Sequence, residues 1–384
     1  IPYPPNKGEK IRHYQIIKYL GQHFDLFIGC LIDSPDDWQH RETVNEWALD
    51  THYAGLDPKL EKLRCLRGLL TNESLSFTYF HNADLQRWVD RIIEEEKPEV
   101  CFVCSSNMAR YIYGRDDRFR QIIVDFADVD SEKWREYAER GTGPMKWVHS
   151  REYRLVTREE SKITRFADAV TFVSDAEADF FVDCHRGTDL EGEARRKSVG
   201  VSNGVDSDFF RPDSAHAPLY DASRPTFVFT GTMDYPPNVD AVRWFTAEIL
   251  PIIRQTLPDA CFYIVGQRPA KEVLALAQSD SVHVTGMVDD VRPYLAHASA
   301  VVAPIRIARG IQNKVLEAMS MARPVITTPE ALEGIDAKHG EEVHVASSPA
   351  EIAAAAVQLA GSEAGDIMGE KARSCVVENY SWAA

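Results

Sequence analysis

Four ionisable side chains and a glycine fall within twelve residues of this sequence: Arg306, Arg309, Gly310, Lys314 and Glu317. Ahead of them runs an apolar stretch, residues 300–305, that reads as a buried strand. After Gly310 the apolar residues Ile311, Val315, Leu316 and Met319 recur at helical spacing. A basic loop leading into a helix gathers cations, unpaired backbone N–H groups and the positive end of the helix dipole around one point. Lys314 falls in the first turns of that helix, and Glu317 follows Asn313 by one turn. This set suits a nucleoside diphosphate: cations for the phosphates, a carboxylate to accept from ribose hydroxyls. The spacing is not that of the phosphate-binding P-loop. An ordinary charged surface helix uses the same residue types, so this stretch alone leaves both readings open.

The elements that must carry these residues alternate along the whole chain. A loop at residues 2–10 precedes a helix with Ile11, Tyr14, Ile17 and Leu20 on one face. Strands are expected at 25–32, 75–80, 100–104, 121–126, 169–173 and 198–201. A polar helical region is expected up to about residue 70, and helices at 84–96 and 146–166. Ser174 reads as the cap of a further helix, in the pattern Ser-Asp-Ala-Glu. Residues 211–225 are polar, hold three prolines and have no periodicity, which reads as a linker. The alternation then restarts, with strands at 226–230, 261–265, 282–284, 300–305 and 324–327. Helices are expected at 239–255, 271–278 and from 349 onward. Alternation of this kind predicts α/β architecture with parallel sheets covered on both faces. The expected organisation is residues 1–210, a linker at 211–225, and residues 226–384.

Composition sets the outer bounds. The chain has 384 residues, more than one core usually supports. Apolar residues make up 44 % and charged residues 27 %, as in a globular protein, and no apolar run is long enough to span a bilayer. A net charge of −16 argues against a nucleic-acid partner. It leaves open peripheral membrane contact through a local basic patch. The seven cysteines show no metal-ligand spacing beyond Cys101 and Cys104, which lie inside an expected strand and read as core thiols. They point to a reducing, cytoplasmic compartment. The chain starts in a proline-rich loop and stops at residues 381–384 in what reads as a helix start, so both ends read as interrupted.

Parallel α/β sheets bind ligands outside the carboxyl ends of their strands. Three loops of the second half fall there: 231–235 with Gly231, 266–268 with Gly266, and 286–288 with Met287 and Val288. In the first half Asp125, Asp128 and Asp130 follow the strand at 121–126. Asp130 reads as a helix cap ahead of Trp134. For Asp128, a cap and a functional carboxylate are both open. His13, His149 and His283 show no ligand spacing and read as structural.

Several motifs, in this order, resemble the family 4 glycosyltransferases of the GT-B fold. They are Val201-Ser202-Asn203-Gly204-Val205-Asp206, Val265-Gly266, Gly286-Met287-Val288-Asp289-Asp290-Val291-Arg292-Pro293-Tyr294, and Leu316-Glu317-Ala318-Met319-Ser320-Met321-Ala322-Arg323-Pro324-Val325. Three further stretches are similar to the sugar transferases associated with the exosortase/PEP-CTERM exopolysaccharide system. These are Pro4-Pro5-Asn6-Lys7-Gly8, residues 124–134 and residues 308–314. The resemblance covers essentially the whole chain. It implies two Rossmann-like α/β/α domains facing across a cleft. It also implies sugar transfer from a nucleotide sugar with retention at the anomeric carbon and without a metal or other cofactor. The donor would sit on the second domain, and a glycan or lipid-linked acceptor mostly on the first. Glu317 matches the family's ribose-holding glutamate, Gly310 and Ile311 the backbone at the diphosphate, and Lys7 and Gly8 the glycine loop of the first domain. Asp128 falls near the family's His or Asp beside the reacting carbon.

Two departures bear on the phosphates. Arg309 stands where the family has a glutamate that touches the donor sugar. Residues 233–238 stand where many members carry an Arg and a Lys. Arg306, Arg309 and Lys314 are then the nearest cations for the diphosphate, and Asp128, Arg309 and Lys314 the expected catalytic set. The reading is a metal-independent transferase of the hexosyltransferase type. Its rivals are a nucleotide-sugar epimerase on the same fold, which would need an acid/base pair that the sequence does not display, and a two-lobed binding protein without catalysis.

Overall fold

The computed structural model describes residues 1–5, 8–69, 71–212, 216–217, 219–221, 223–278, 280–307 and 310–382, with backbone alone for 8, 9, 66, 67 and 278. The chain divides into two compact units, Ile1–Ser202 and Asn203–Ala384. The change of unit falls ahead of residues 211–225. Residues 204 and 205 already belong to the second unit because the chain's end returns to them: Val205 N donates to Tyr380 O and Val205 bridges Ser381. The expected helix start at 381–384 is therefore not realised over its described part, where Ser381 is held by that bridge.

Among the described residues the first unit holds two parallel sheets. One pairs β1 (Phe27–Ile32) with β2 (Asp50–Gly55); the other runs in the order β3 (Val100–Cys104), β4 (Gln121–Ala127), β5 (Ala169–Phe172), β6 (Ser198–Gly200). β2 corrects the expectation of an unbroken helical region up to residue 70. Its sequence, Asp-Thr-His-Tyr-Ala-Gly, buries only Ala54, so it carries no alternation; pairing with β1 makes it a strand. A second correction concerns residues 75–80, which form the helix Leu75–Tyr79 rather than a strand. Ser74 caps it by accepting from Phe77 N, and the buried Glu152 carboxylate accepts from Ser74 Oγ and Leu75 N. Those bonds satisfy the orphan donors of a first helical turn.

The second unit is one six-stranded parallel sheet in the order β12-β11-β10-β7-β8-β9, where β7 is Thr226–Thr230, β8 Cys261–Val265, β9 Val282–Gly286, β10 Ala300–Ala303, β11 Val325–Thr327 and β12 His344–Val345. β7, β10 and β11 are buried at every position, the mark of strands covered on both faces. Phe227, Phe229, Phe245 and Phe262 lie at the centre of this core. The helix Asn313–Ser320 packs on the helix Glu363–Asn379 and on β11.

Candidate functional site

β7 lies between β10 and β8. From it the chain proceeds to β8 and β9 on one side, and from β10 to β11 and β12 on the other. The order therefore reverses between β7 and β10, and the crevice outside their carboxyl ends is where such sheets hold ligands. The side chains aimed there come from the loops after β7, β8 and β10 and from the helix Asn313–Ser320.

Gly231 and Gly266 shape the floor. A Cβ on Gly266 would stand 1.7 Å from Gly231 O, and one on Gly231 would stand 2.7 Å from Asn238 Nδ2 and 3.4 Å from Lys314 Nζ. Gly231 N also donates to Val265 O at 3.0 Å, so the two strand ends meet backbone to backbone. Only glycine leaves room for that contact.

Lys314 reaches back over this floor. Its Nζ donates to Asn238 Oδ1 at 2.6 Å and lies 4.6 Å from the centre of the Phe229 ring. Asn238 Nδ2 in turn donates to Thr232 O at 2.9 Å, which fixes the amide with its oxygen toward the ammonium. Burial pushes the half-buried ammonium down to about 8, against a raising effect of Glu317. Glu317 is likewise half-buried, and its carboxyl is pushed up to about 7 by burial, opposed by Lys314. Among the described residues no donor bonds that carboxylate. A cation and a carboxylate held at reduced solvation, each short of partners, form a site that an anion with hydroxyl donors would complete.

The remaining expected residues divide. Gly310 adopts a left-handed φ of 63°, and Ile311 is buried beneath Gly334, where a Cβ would meet Ile311 Cγ1 at 3.0 Å. The helix begins at Asn313, three residues beyond Gly310, because Gln312 is extended. Arg306 is already engaged: its guanidinium holds both oxygens of Asp240 at 3.0 and 2.6 Å and lies over Trp244. Met287 is 77 % exposed after Gly286, whereas Val288 packs on the core. Met233, in the stretch that replaces the family's Arg and Lys, is fully buried, and Asp234 pairs with Arg268. Gly8 opens the helix Gly8–Leu20 of the first unit. Lys7 and Arg309 lie outside the described residues. Asn238 was not legible from the sequence as a site residue; its one signal is a polar residue in the first turn after Pro236 and Pro237 in a strand-end loop.

In the first unit the carboxyl end of β4 carries a buried ion pair. Arg12 grips Asp125 through Nε and Nη2 at 2.9 and 2.7 Å, Thr171 Oγ1 donates to the same carboxylate, and His13 Nε2 lies 3.3 Å away. Burial would raise the Asp125 carboxyl, but His13 and Arg12 together hold it well below the usual carboxylate range. Asp125 is therefore committed to structure. Asp128 is exposed just beyond it, after Ala127 at a left-handed φ of 61°. The expectation that Asp130 caps its helix is corrected. That helix, Asp130–Arg140, has no cap from its own neighbourhood. Glu177 accepts from Val129 N and Glu160 from Ser131 N instead, while Asp130 accepts from Ser106 Oγ.

Residues 224–362 match the family of glycosyl transferases group 1. The match lies wholly within the second unit. It contains Gly231, Asn238, Gly266, Lys314 and Glu317, the whole of the crevice just described. No curated protein sequence matches the chain. Among solved structures the chain is similar to HepE of Anabaena, determined in complex with UDP, at 13 % identity and a TM-score of 0.65, covering 98 % of this chain and 93 % of that one. It is also similar to sucrose-phosphate synthase of Thermosynechococcus elongatus, at 15 % identity, a TM-score of 0.59 and coverage of 93 % and 95 %. A glycosyltransferase of Rickettsia africae matches at 12 % identity and a TM-score of 0.56, covering 94 % and 96 %. The fold is GT-B, with two Rossmann-like domains.

Proposed function

We propose that this chain is a retaining, metal-independent glycosyltransferase. It moves a hexose from a nucleoside-diphosphate sugar to a glycan or lipid-linked acceptor in exopolysaccharide assembly, in the cytoplasm. The observation that carries the reading is the half-buried Lys314–Glu317 pair at the strand-order reversal of the stretch that matches the group 1 family. UDP, the nucleotide of the HepE complexes, is the first candidate for the base and diphosphate. Glu317 would accept from the ribose hydroxyls. Lys314 and the free N–H groups at the start of the helix Asn313–Ser320 would stabilise charge on the departing diphosphate, which is where a preorganised site lowers the barrier most. Arg306, tied to Asp240, would contribute at longer range, and Arg309 is retained as a phosphate- or sugar-binding residue by its position. Asp128 is retained at the acceptor side. The acceptor hydroxyl oxygen bonds to the anomeric carbon as the bond from that carbon to the phosphate oxygen breaks, and the hydroxyl proton passes to the phosphate oxygen that leaves.

The test is release of nucleoside diphosphate from UDP-, GDP- and ADP-sugars, with and without EDTA. Release that persists in EDTA supports the assignment. Activity lost in EDTA and restored by Mg²⁺ would overturn metal independence and promote Asp128 and Asp130 to candidate ligands. Conversion of the donor sugar to its epimer, or tight nucleotide binding with no release, would replace transfer by epimerisation or by binding alone.

A further inference from the structure

The helices Asp130–Arg140 and Gly143–Phe166 form a hairpin in the first unit, joined through contacts of Trp134 and Tyr137 with His149. From residue 151 onward the second helix is locked down. Arg151 donates to the carbonyls of Gly68, Thr71 and Glu73, and Glu152 caps the helix Leu75–Tyr79. Its first turns are not: every residue from 142 to 147 is exposed. Trp147 is 60 % exposed, Met145 54 % and Tyr137 42 %, all beside the turn between the helices. Large apolar side chains held out on a braced hairpin mark a surface that something covers.

Charge says what covers it. Residues 133–158 hold seven Lys and Arg against three Glu, in a chain whose net charge is −16. Arg135 and Arg151 are neutralised by Glu132, Glu139 and Glu152. Among the described residues, Lys133, Arg140, Lys146 and Arg154 form no ion pair. On the first helix Lys133, Tyr137 and Arg140 recur along one exposed face; on the second, Trp147, Ser150 and Arg154 do. Aromatic and Met side chains ringed by unpaired cations suit an anionic lipid surface, where rings settle at headgroup depth and cations meet phosphates. The remainder of the chain is strongly negative, which favours this hairpin as the part turned toward such a surface. No helix of the described residues is long and apolar enough to cross a membrane, so contact here is peripheral.

We propose that the open end of the 130–166 hairpin docks this protein on anionic membranes, with Met145 and Trp147 inserting and Lys133, Arg140, Lys146 and Arg154 meeting lipid phosphates. This does not depend on the sugar-transfer reading, and far-ultraviolet circular dichroism with the thermal midpoint serves as the fold control. The test is co-sedimentation of the full chain with vesicles of phosphatidylcholine alone and with about one-third phosphatidylglycerol. Binding is expected to the anionic vesicles only, to weaken with salt, and to fall about five-fold for each of Arg140→Glu and Lys146→Glu. Met145→Ser with Trp147→Ser is expected to lower it ten-fold or more, with circular dichroism and the thermal midpoint unchanged. Equal binding to neutral vesicles, absence of binding, or indifference to these variants would overturn the proposal. So would a self-associated dimer in vesicle-free solution that Trp147→Ser dissolves, which would assign the face to a second copy of the chain.

Discussion

On the proposed function, the half-buried pair at the crevice should make nucleotide binding pH-dependent on both sides of neutrality. In the unliganded protein Lys314 titrates near 8 and Glu317 near 7. A diphosphate beside Lys314 favours its ammonium form, and ribose hydroxyls favour the Glu317 carboxylate. Binding therefore selects Lys314 charged and Glu317 ionised. Above pH 8 the free protein has lost the Lys314 proton and binding must recover it, so affinity for UDP should fall toward ten-fold per pH unit. At pH 9 about 0.9 proton should be taken up per UDP bound, at a cost of about 1.4 kcal/mol. Below pH 7 the sign reverses: Glu317 is protonated in the free protein, binding expels that proton, and affinity falls again. Between the limbs, near pH 7.5, roughly 0.6 of the free protein carries both required forms. Calorimetry of UDP binding from pH 6 to 9, in buffers of differing ionisation enthalpy, reads affinity and proton count together. UDP itself titrates near pH 6, so the acid limb is assigned by Glu317→Gln, which should remove the protein's share of it. Lys314→Met should weaken UDP binding and leave affinity flat from pH 8 to 9. Unchanged affinity and no proton uptake between pH 8 and 9 in the native chain would refute Lys314 as the phosphate cation.

Three further outcomes follow from the geometry. Glu160 is fully buried, with Oε2 unpartnered, and burial, helped by Asp130 and Glu132, pushes its carboxyl up to about 8. The folded state then holds a proton that the unfolded chain releases near pH 4.5, so stability should decline from about pH 4.5 to 8. Glu160→Gln should recover several kcal/mol, roughly 3 at pH 7, in urea denaturation; a pH-independent difference would refute this. Asp125→Ala strands the buried Arg12 guanidinium and should cost about 3–5 kcal/mol in the same assay, a loss under about 1 kcal/mol speaking against the pair's burial. Gly266→Ala forces a methyl onto Gly231 O and should cost about 1–3 kcal/mol and weaken UDP binding. Gly192→Ala, whose added methyl meets nothing within 4 Å, should do neither.

The central strands of the second unit were legible because they are buried on both faces, so each is a short continuous apolar run flanked by glycine or polar turns, whereas the two-residue, half-buried edge strand His344–Val345 was not expected. Thr226–Thr230, Cys261–Val265 and Ala300–Ala303 need no partner to announce themselves. Gly231, Gly266, Lys314 and Glu317 were legible for a related reason: glycines at strand ends and charges in a helix's first turns belong to local patterns. β2 and the helix Leu75–Tyr79 were not legible. A polar strand exists only through its pairing with β1, and the strand-like alternation Leu-Ser-Phe-Thr of residues 75–78 becomes helix when Ser74 and a distant Glu152 satisfy its first turn. The charges show the same division. That Lys314 and Arg306 are cations near one loop is a fact of sequence. Which of them stays available to a ligand depends on Asn238, 76 residues from Lys314, and on Asp240, 66 residues from Arg306. Asp125 was one of three aspartates placed at a strand end, yet Arg12, 113 residues earlier, takes it out of chemistry while Asp128 stays exposed. Periodicity and turn chemistry act over a few residues and can be read along the chain. Desolvation and ion pairing depend on which side chains the fold brings within a few ångströms, and that is decided only in three dimensions.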